Sequence, residues 1–326
     1  MKMSVNKLME TASLFWRSRI IFTAFELKIF TVLGQRRKTS PEVAKAIKAN
    51  ARATDRLMNA LCAMGLLVKR SNKFSNTDVT SRFLIEGKPH FLGGFGHFVN
   101  LWDDWSNLTK AVKEGRSVSK KRLANQKDKY FRAFIAAMHE RACESAPSLI
   151  RLLDLSKVYR VLDVGGGSGV YSMAFVRAKA GTRAVVLDLP QVTVLAKKYI
   201  KGQNLQNKIT TKTGDYRTGS FGKGFDLVFL SAIIHINSPK ENIKLIKKAS
   251  GALNPGGQLV ISDFIMDRDR TSPFFGALFA LNMLVVTDKG DTYTQSEVTS
   301  WMKASGLKNT IRKDTKFGTT LIIARK

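Results

Sequence analysis

The sequence predicts an α/β fold in which a mostly parallel sheet, closed by a C-terminal antiparallel hairpin, follows a mainly α N-terminal domain. Three observations carry that expectation. From Tyr159 onward, short apolar runs alternate with helical stretches, the pattern of strands and crossover helices. In the long helical stretch before it, apolar residues recur at i, i+3 and i+4. At 326 residues and 44% hydrophobic content, the chain can bury a sizeable core in each of two domains.

The first segment, Leu14–Leu33, is densely apolar, with Phe15, Phe22, Phe25, Ile29 and Phe30. A helix apolar around most of its surface needs burial on several sides, often against a partner subunit. Ser40-Pro41-Glu42 is a helix start, with Ser40 as N-cap and proline at the first helical position. The helix Pro41–Lys48 leads through a turn into a second one near Thr54–Met64. Gly65–Val68 and Lys73–Ser75 then form a short two-stranded wing. Helix, turn, helix and wing make a winged-helix pattern. Its second helix carries Arg52 and Arg56 but few other base-reading side chains, so dimerisation is the expectation and specific nucleic-acid binding is not. A polar, basic loop over Ser117–Lys129 precedes the long helix Lys129–Leu153, where Phe131, Phe134, Ile135, Met138 and Ala142 keep helical spacing.

In the second half, strands are expected at Arg160–Val164, Ala184–Leu187, Lys208–Thr213, Asp226–Leu230 and Gln258–Ile261. Thr310–Asp314 and Thr319–Ala324, joined by Lys316-Phe317-Gly318, form the closing hairpin. The first strand runs into Asp163-Val164-Gly165-Gly166-Gly167-Ser168-Gly169, where glycines let the backbone turn and approach a ligand closely. A dinucleotide site would show G-x-G-x-x-G; here the spacing is G-x-G-x-G with an acid before it, which suits a cationic amino-acid cofactor better than a diphosphate. Asp188 ends the second strand, placed to accept both hydroxyls of a ribose, although a carboxylate there would also cap the next helix. Gly214-Asp215-Tyr216 follows the third strand, where an acid and an aromatic ring could hold an adenine. An Asx-turn at Asp215 is the plainer alternative. His235 follows the fourth strand, at the edge where open α/β sheets place ligands. Imidazole titrates near neutrality, so a histidine there can act as a general base. Ser238-Pro239-Lys240-Glu241 forms a capping box that fixes the backbone after it.

Together, Val161–Gly169, Leu187-Asp188-Leu189-Pro190, Gly214-Asp215-Tyr216, Asp226–His235 and Asn254-Pro255-Gly256-Gly257 resemble the small-molecule O-methyltransferases of plants and bacteria. These include the caffeate, isoflavone and hydroxyindole enzymes. The resemblance implies a Rossmann-like methyltransferase domain over residues 157–326, a winged-helix dimerisation domain over 1–100, and a helical linker over 101–156 that contributes to the substrate pocket. It implies S-adenosyl-L-methionine as cofactor and S-adenosyl-L-homocysteine as product. The cofactor would be held by Asp163, Gly165, Gly166, Gly167, Asp188, Leu189, Asp215, Tyr216 and Ser231. His235 matches the residue that takes the acceptor hydroxyl proton, and Asp263 the acid that orients it. Met138 matches a pocket-lining position. Phe134, Trp102, Trp105, Phe279, Asn282 and Met283 are the further candidates for gripping a flat acceptor.

Two departures are visible. The family's His-Asp-Trp reads His235-Ile236-Asn237, and its second acid falls at Thr292, with Asp291 adjacent but pointing elsewhere if the stretch is extended. Methyl transfer to carbon or nitrogen therefore stays open beside transfer to oxygen. A winged-helix regulator with a vestigial cofactor site is the reading from another class.

Composition bounds the rest. No apolar run reaches the roughly 18 to 20 residues that cross a bilayer; the longest, Phe274–Val286, reads as a buried core helix. With no signal peptide visible either, a cytoplasmic protein is expected, and the resemblance implies a homodimer acting on a small-molecule acceptor. Cys62 and Cys143 lie far apart, and the four histidines share no ligand spacing, so no protein-built metal site is expected. The net charge of +29 is spread evenly over both halves of the chain, unlike a confined nucleic-acid footprint, and predicts attraction to anions.

Overall fold

The computed structural model describes residues 3–118 and 128–326. Of the basic segment Ser117–Lys129, expected as an exposed loop, residues 119–127 fall outside them, while Asp128 and Lys129 already open a helix that runs to Ile150. The chain divides into two compact units, Met1–Leu101 and Trp102–Lys326.

The first unit opens with α1 (Val5–Glu26), whose N-cap Ser4 accepts from the Lys7 amide, and α2 (Ile29–Leu33). Leu14, Phe15 and Trp16 on α1 are 48%, 54% and 62% exposed within the single chain, too much apolar surface to leave to water. A two-residue strand, β1 (Lys38–Thr39), precedes α3 (Ser40–Ile47). The cap of α3 is Thr39, one residue earlier than expected. Thr39 and Glu42 form a reciprocal capping box, while Ser40 Oγ donates instead to Asp55 at 2.7 Å. Helix α4 (Ala51–Ala63) also starts earlier than expected, because Asn50 caps it. The wing is β2 (Leu67–Arg70) and β3 (Lys73–Asn76), with β1 completing a three-stranded antiparallel sheet in the order β1-β3-β2. Ala24, Ile29, Phe30, Leu33, Val43, Met58, Leu61 and Phe74 form the core of this unit. Helices α5 (Asp78–Phe83) and α6 (Phe95–Trp105) follow.

Then come α7 (Leu108–Glu114), α8 (Asp128–Ile150), β4 (Arg160–Val164), α9 (Val170–Ala178), β5 (Arg183–Asp188), α10 (Pro190–Gly202), β6 (Ile209–Thr213) and β7 (Phe225–Ser231). The chain continues through α11 (Pro239–Ala252), β8 (Leu253–Asp263), β9 (Ile265–Met266), α12 (Phe274–Val286), β10 (Tyr293–Thr294), α13 (Gln295–Ala304), β11 (Lys308–Asp314) and β12 (Thr320–Arg325). Seven strands form one sheet in the order β11-β12-β8-β7-β4-β5-β6, parallel from β8 to β6 and antiparallel where β12 joins β8 and β11. This is the expected sheet with its closing hairpin. Helices cover both faces, so successive strand residues serve opposite cores. Leu162, Val164, Val228 and Leu230 pack on one face, and Val161, Leu227 and Phe229 on the other. The order reverses between β4 and β7, which opens a crevice at their carboxyl ends.

One expectation is corrected here. Phe274–Val286 is a helix, but only Gly276, Met283 and Val285 on it are buried, and Phe274 is 77% exposed. Its inner side packs near β9, where Gly276 faces Met266 so closely that a Cβ would lie 2.5 Å from the sulfur. On its outer side Phe274, Phe275 and Leu278 are exposed. No helix among the described residues is long and apolar enough to cross a membrane.

Candidate functional site

Every strand-end residue singled out by the sequence lies at this carboxyl edge: Asp163 in β4, Asp188 ending β5, Ser231 ending β7 and Asp263 ending β8. Ser231 pairs in register with Ser262. The glycine loop leaves β4 with the Gly165 amide donating to the Leu187 carbonyl at 2.7 Å. Gly166 lies against Asp163; a Cβ there would sit 2.6 Å from the carboxyl carbon. Gly167 has φ +57, and a Cβ would meet nothing within 4 Å, so this side of the loop is open to a ligand.

Asp163 is 1% exposed, and its Oδ2 accepts from the amide and hydroxyl of Ser172 at 3.2 and 2.8 Å. Its Oδ1 has no partner among the described residues. Burial pushes the carboxyl up to about 7, against the pull of the Ser172 donors. In the ligand-free protein this contribution to stability is full below the ordinary value near 3.8 and is lost as pH rises through about 7. The melting temperature is therefore expected to fall between about pH 4 and about pH 7, and to fall less steeply in Asp163→Asn. Thermal scans giving equal slopes for both proteins would exclude Asp163 as the titrating group.

Asp188 does not cap α10, whose N-cap Leu189 has no side-chain cap bond. Its Oδ2 accepts from the Gly167 amide at 2.8 Å and its Oδ1 from the Leu189 amide at 2.7 Å. The carboxylate thus ties the end of β5 to the glycine loop. Burial holds it above the usual range, opposed by these two amides. Asp215 closes an Asx-turn on the Arg217 amide at 2.8 Å and pairs with the Arg217 guanidinium, which keeps its carboxyl below the usual range. Tyr216 is half-buried, its phenol pushed up to about 12 by burial, and its hydroxyl donates to Asn237 Oδ1 at 2.8 Å. Asn237 stands where the resembling enzymes carry tryptophan. It is buried and bonded to Asn242 through its amide and to the Tyr293 hydroxyl through its carbonyl, so the departure replaces a ring with a polar junction.

His235 sits in a short 3-10 turn, Ile234–Ile236, after Ala232, which holds a left-handed φ of 55°. Such a conformation in a residue with a Cβ is uncommon and marks a constrained turn. Asp263 organises it. Its Oδ1 accepts from His235 Nδ1 at 2.7 Å and from the Phe264 amide at 2.8 Å, while Oδ2 accepts from the Ile234 amide at 3.1 Å. Because the carboxylate only accepts, Nδ1 carries the proton and Nε2 is the basic nitrogen. The His235 carbonyl accepts from the Asp291 amide at 3.0 Å. Asp291 turns its side chain outward, 3.8 Å from Arg270 and half exposed, and Thr292 is buried beside it.

The pocket candidates are partly brought together. Phe279 meets His235 edge to face at 4.9 Å. Trp105 Nε1 donates to Asn282 Oδ1 at 2.9 Å. Phe134, Met138 and Trp102 are half-buried, while Met283 is sealed in the interior. Sequence reasoning missed Phe264 and Phe275. Phe264 lies 4.3 Å from Phe279 and 6.1 Å from His235, and Phe275 stacks at 5.9 Å on Phe279. It also missed two α8 residues, Arg141 and His139. The Nδ1 of His139 bonds to Ser168 Oγ of the glycine loop at 2.8 Å, and its ring stacks on Tyr199 at 4.1 Å. The site thus joins a cradle with two carboxylates, Asp163 buried and Asp188 partly buried, suited to a cationic ligand bearing a ribose, to a histidine held by Asp263 and walled by aromatic rings.

Comparison with known proteins identifies the family. Residues 105–308 match the O-methyltransferase domain, and residues 9–86 match the O-methyltransferase dimerisation domain. The 3-hydroxy-5-methyl-1-naphthoate 3-O-methyltransferase of Streptomyces sahachiroi is 30% identical, over 92% of this chain and 88% of that protein. The acetylserotonin O-methyltransferase of Bos taurus is 26% identical, over 98% and 97% respectively. A solved structure of PigF with SAH matches with a TM-score of 0.89 at 25% identity, over 99% of this chain and 100% of that one.

Proposed function

The chain belongs to the S-adenosyl-L-methionine-dependent O-methyltransferase family, and from that premise we propose that it methylates a hydroxyl of a small aromatic metabolite, with His235 as general base. The observation that carries this reading is the 2.7 Å bond between His235 and Asp263, set among Phe264, Phe275 and Phe279 at the carboxyl edge of the sheet. The relatives named for a hydroxylated naphthoate and for acetylserotonin support an aromatic acceptor.

Bound S-adenosyl-L-methionine supplies an electrophilic methyl group on a sulfonium. The chain's own residues do the rest. Asp188 holds the ribose hydroxyls, Asp163 and the loop Gly165-Gly166-Gly167 face the cationic amino-acid end, and Leu189, Asp215, Tyr216 and Ser231 frame the remainder. His235 Nε2 takes the hydroxyl proton, and Asp263 stabilises the imidazolium that results. Phe134, Met138, Trp105, Phe279 and Asn282 shape the acceptor pocket, positioning the oxygen and excluding water, with the buried Met283 supporting its wall from within. Residues 101–156 contribute to that pocket, and 157–326 form the cofactor domain.

Incubating the protein with S-adenosyl-L-methionine and a panel of phenols, anilines and thiols tests the reading. O-methyl ethers of the phenols are expected by mass spectrometry. Methylation confined to nitrogen, sulfur or ring carbon would overturn it.

The dimerisation domain is read as the means by which two copies of this chain pair, through the exposed Leu14, Phe15 and Trp16 of residues 1–100. Sedimentation at the mass of a single chain would remove that reading.

A further inference from the structure

Arg141 projects from α8 one turn after Met138, and nothing in the reaction so far uses it. Its guanidinium carbon lies 5.0 Å from the ring centre of Phe264 and 5.5 Å from that of Phe275. Phe264 is the same ring that neighbours His235, at 6.1 Å. A base and a fixed cation therefore flank one aromatic wall.

Among the described residues, no carboxylate forms an ion pair with Arg141 and no group accepts a hydrogen bond from its guanidinium. Asp263 is near enough to feel its charge, but that carboxylate already accepts from His235, Ile234 and Phe264. Solvent reaches Arg141 although protein atoms crowd it, as on the wall of a cleft. Burial pulls its pKa below the ordinary arginine value, opposed by Tyr171 and Asp263. A guanidinium stacked on phenyl faces keeps its in-plane N–H groups available, in a fork matched to a carboxylate. The positive charge of the whole molecule would draw such an anion in.

We propose that Arg141 is a specificity-determining residue that binds a carboxylate carried by the aromatic acceptor, so that the preferred substrates are hydroxyaryl carboxylic acids. This rests on the reading of a hydroxylated aromatic acceptor facing His235. The carboxylate pairs with the guanidinium at one end of the aromatic wall while the hydroxyl meets His235 Nε2 at the other. Lysine at this position would keep the charge but lose the flat fork.

The test uses a panel of one- and two-ring hydroxyaryl carboxylic acids, each paired with its own methyl ester, at neutral pH with saturating S-adenosyl-L-methionine. The readout is the ratio of kcat/KM for acid over ester. In the wild type, the best acid is expected to exceed its ester by at least about tenfold. In Arg141→Gln the ratio should collapse toward one, and in Arg141→Lys it should fall between. Calorimetric binding of S-adenosyl-L-homocysteine checks that both variants are folded. A ratio near one in the wild type, with esters and simple phenols methylated well, overturns the carboxylate site and leaves the aromatic-hydroxyl reading standing. Equal losses on acid and ester in Arg141→Gln also overturn it, since that would be support of Asp263 rather than recognition. Turnover of no hydroxyaryl compound by a protein that binds S-adenosyl-L-homocysteine would sink this proposal together with the reading beneath it.

Discussion

Turnover of a phenolic acceptor should fall by about 10²–10⁴-fold when His235 is replaced by alanine, with S-adenosyl-L-homocysteine still bound. The magnitude is that of one positioned general base. Methyl transfer is otherwise helped by placement and dryness, which the mutation leaves largely in place. The fold should tolerate the change. Asp263 loses the imidazole but keeps the amides of Ile234 and Phe264, so the buried carboxylate is not stranded. Those bonds, with that of the Asp291 amide to the carbonyl of residue 235, should hold the turn in shape. The deficit should also shrink as pH rises and the acceptor ionises unaided. Steady-state kinetics across pH, with calorimetry on the same samples, would check this. Unchanged turnover in His235→Ala would take the residue out of the mechanism.

The second large effect is expected on cofactor affinity. Asp188→Ala should weaken binding of S-adenosyl-L-homocysteine by about a hundredfold, since a hydrogen bond to a charged group contributes about 1.5–3 kcal/mol. Two losses add up here. The ribose would lose its acceptor, and the Gly167 amide would lose the 2.8 Å bond that holds the glycine loop to β5. Asp188→Asn separates them, because its amide oxygen can still accept from Gly167 while the negative charge is gone. Titration calorimetry on the three proteins reads this directly. Wild-type affinity in Asp188→Ala would mean that the residue only staples the loop and never meets the cofactor.

The places of Asp163 and Asp188 at the carboxyl edge were legible because each ends or precedes the end of an apolar strand, where a short periodicity marks the address. His235 and Asp263 were legible for the same reason, and the parallel pairing of β7 with β8 brings them together across 28 positions of sequence. What could not be read depends on packing between distant segments. Arg141 shows only as one more basic residue on a long helix; its partners, Phe264 and Phe275, come from the far end of the chain. Phe274–Val286 has the composition of a core helix, and the exposure of Phe274, Phe275 and Leu278 depends on packing that composition does not reveal. Strands β1, β9 and β10 have two residues each, too few for a period to register. Thr39 was overlooked as a cap because Ser40-Pro41 is an equally good start locally, and the choice was made by the contact of Ser40 with Asp55.

The residues proposed for the cofactor and those proposed for the acceptor come from different kinds of element. The groups assigned to the cofactor stand at strand ends and in the glycine loop, locked by backbone hydrogen bonds into the sheet. Those assigned to the acceptor, Met138 and Arg141 on α8 and Phe279 and Asn282 on α12, project from helix surfaces that the sheet does not need in order to fold. On these assignments, substitutions at those positions would change the shape and charge of the cleft while leaving the glycine loop and its His139–Ser168 bond in place. A gene duplicated from this one could therefore drift toward a new acceptor by a handful of helix-surface changes, passing through intermediates that still fold and still load their donor.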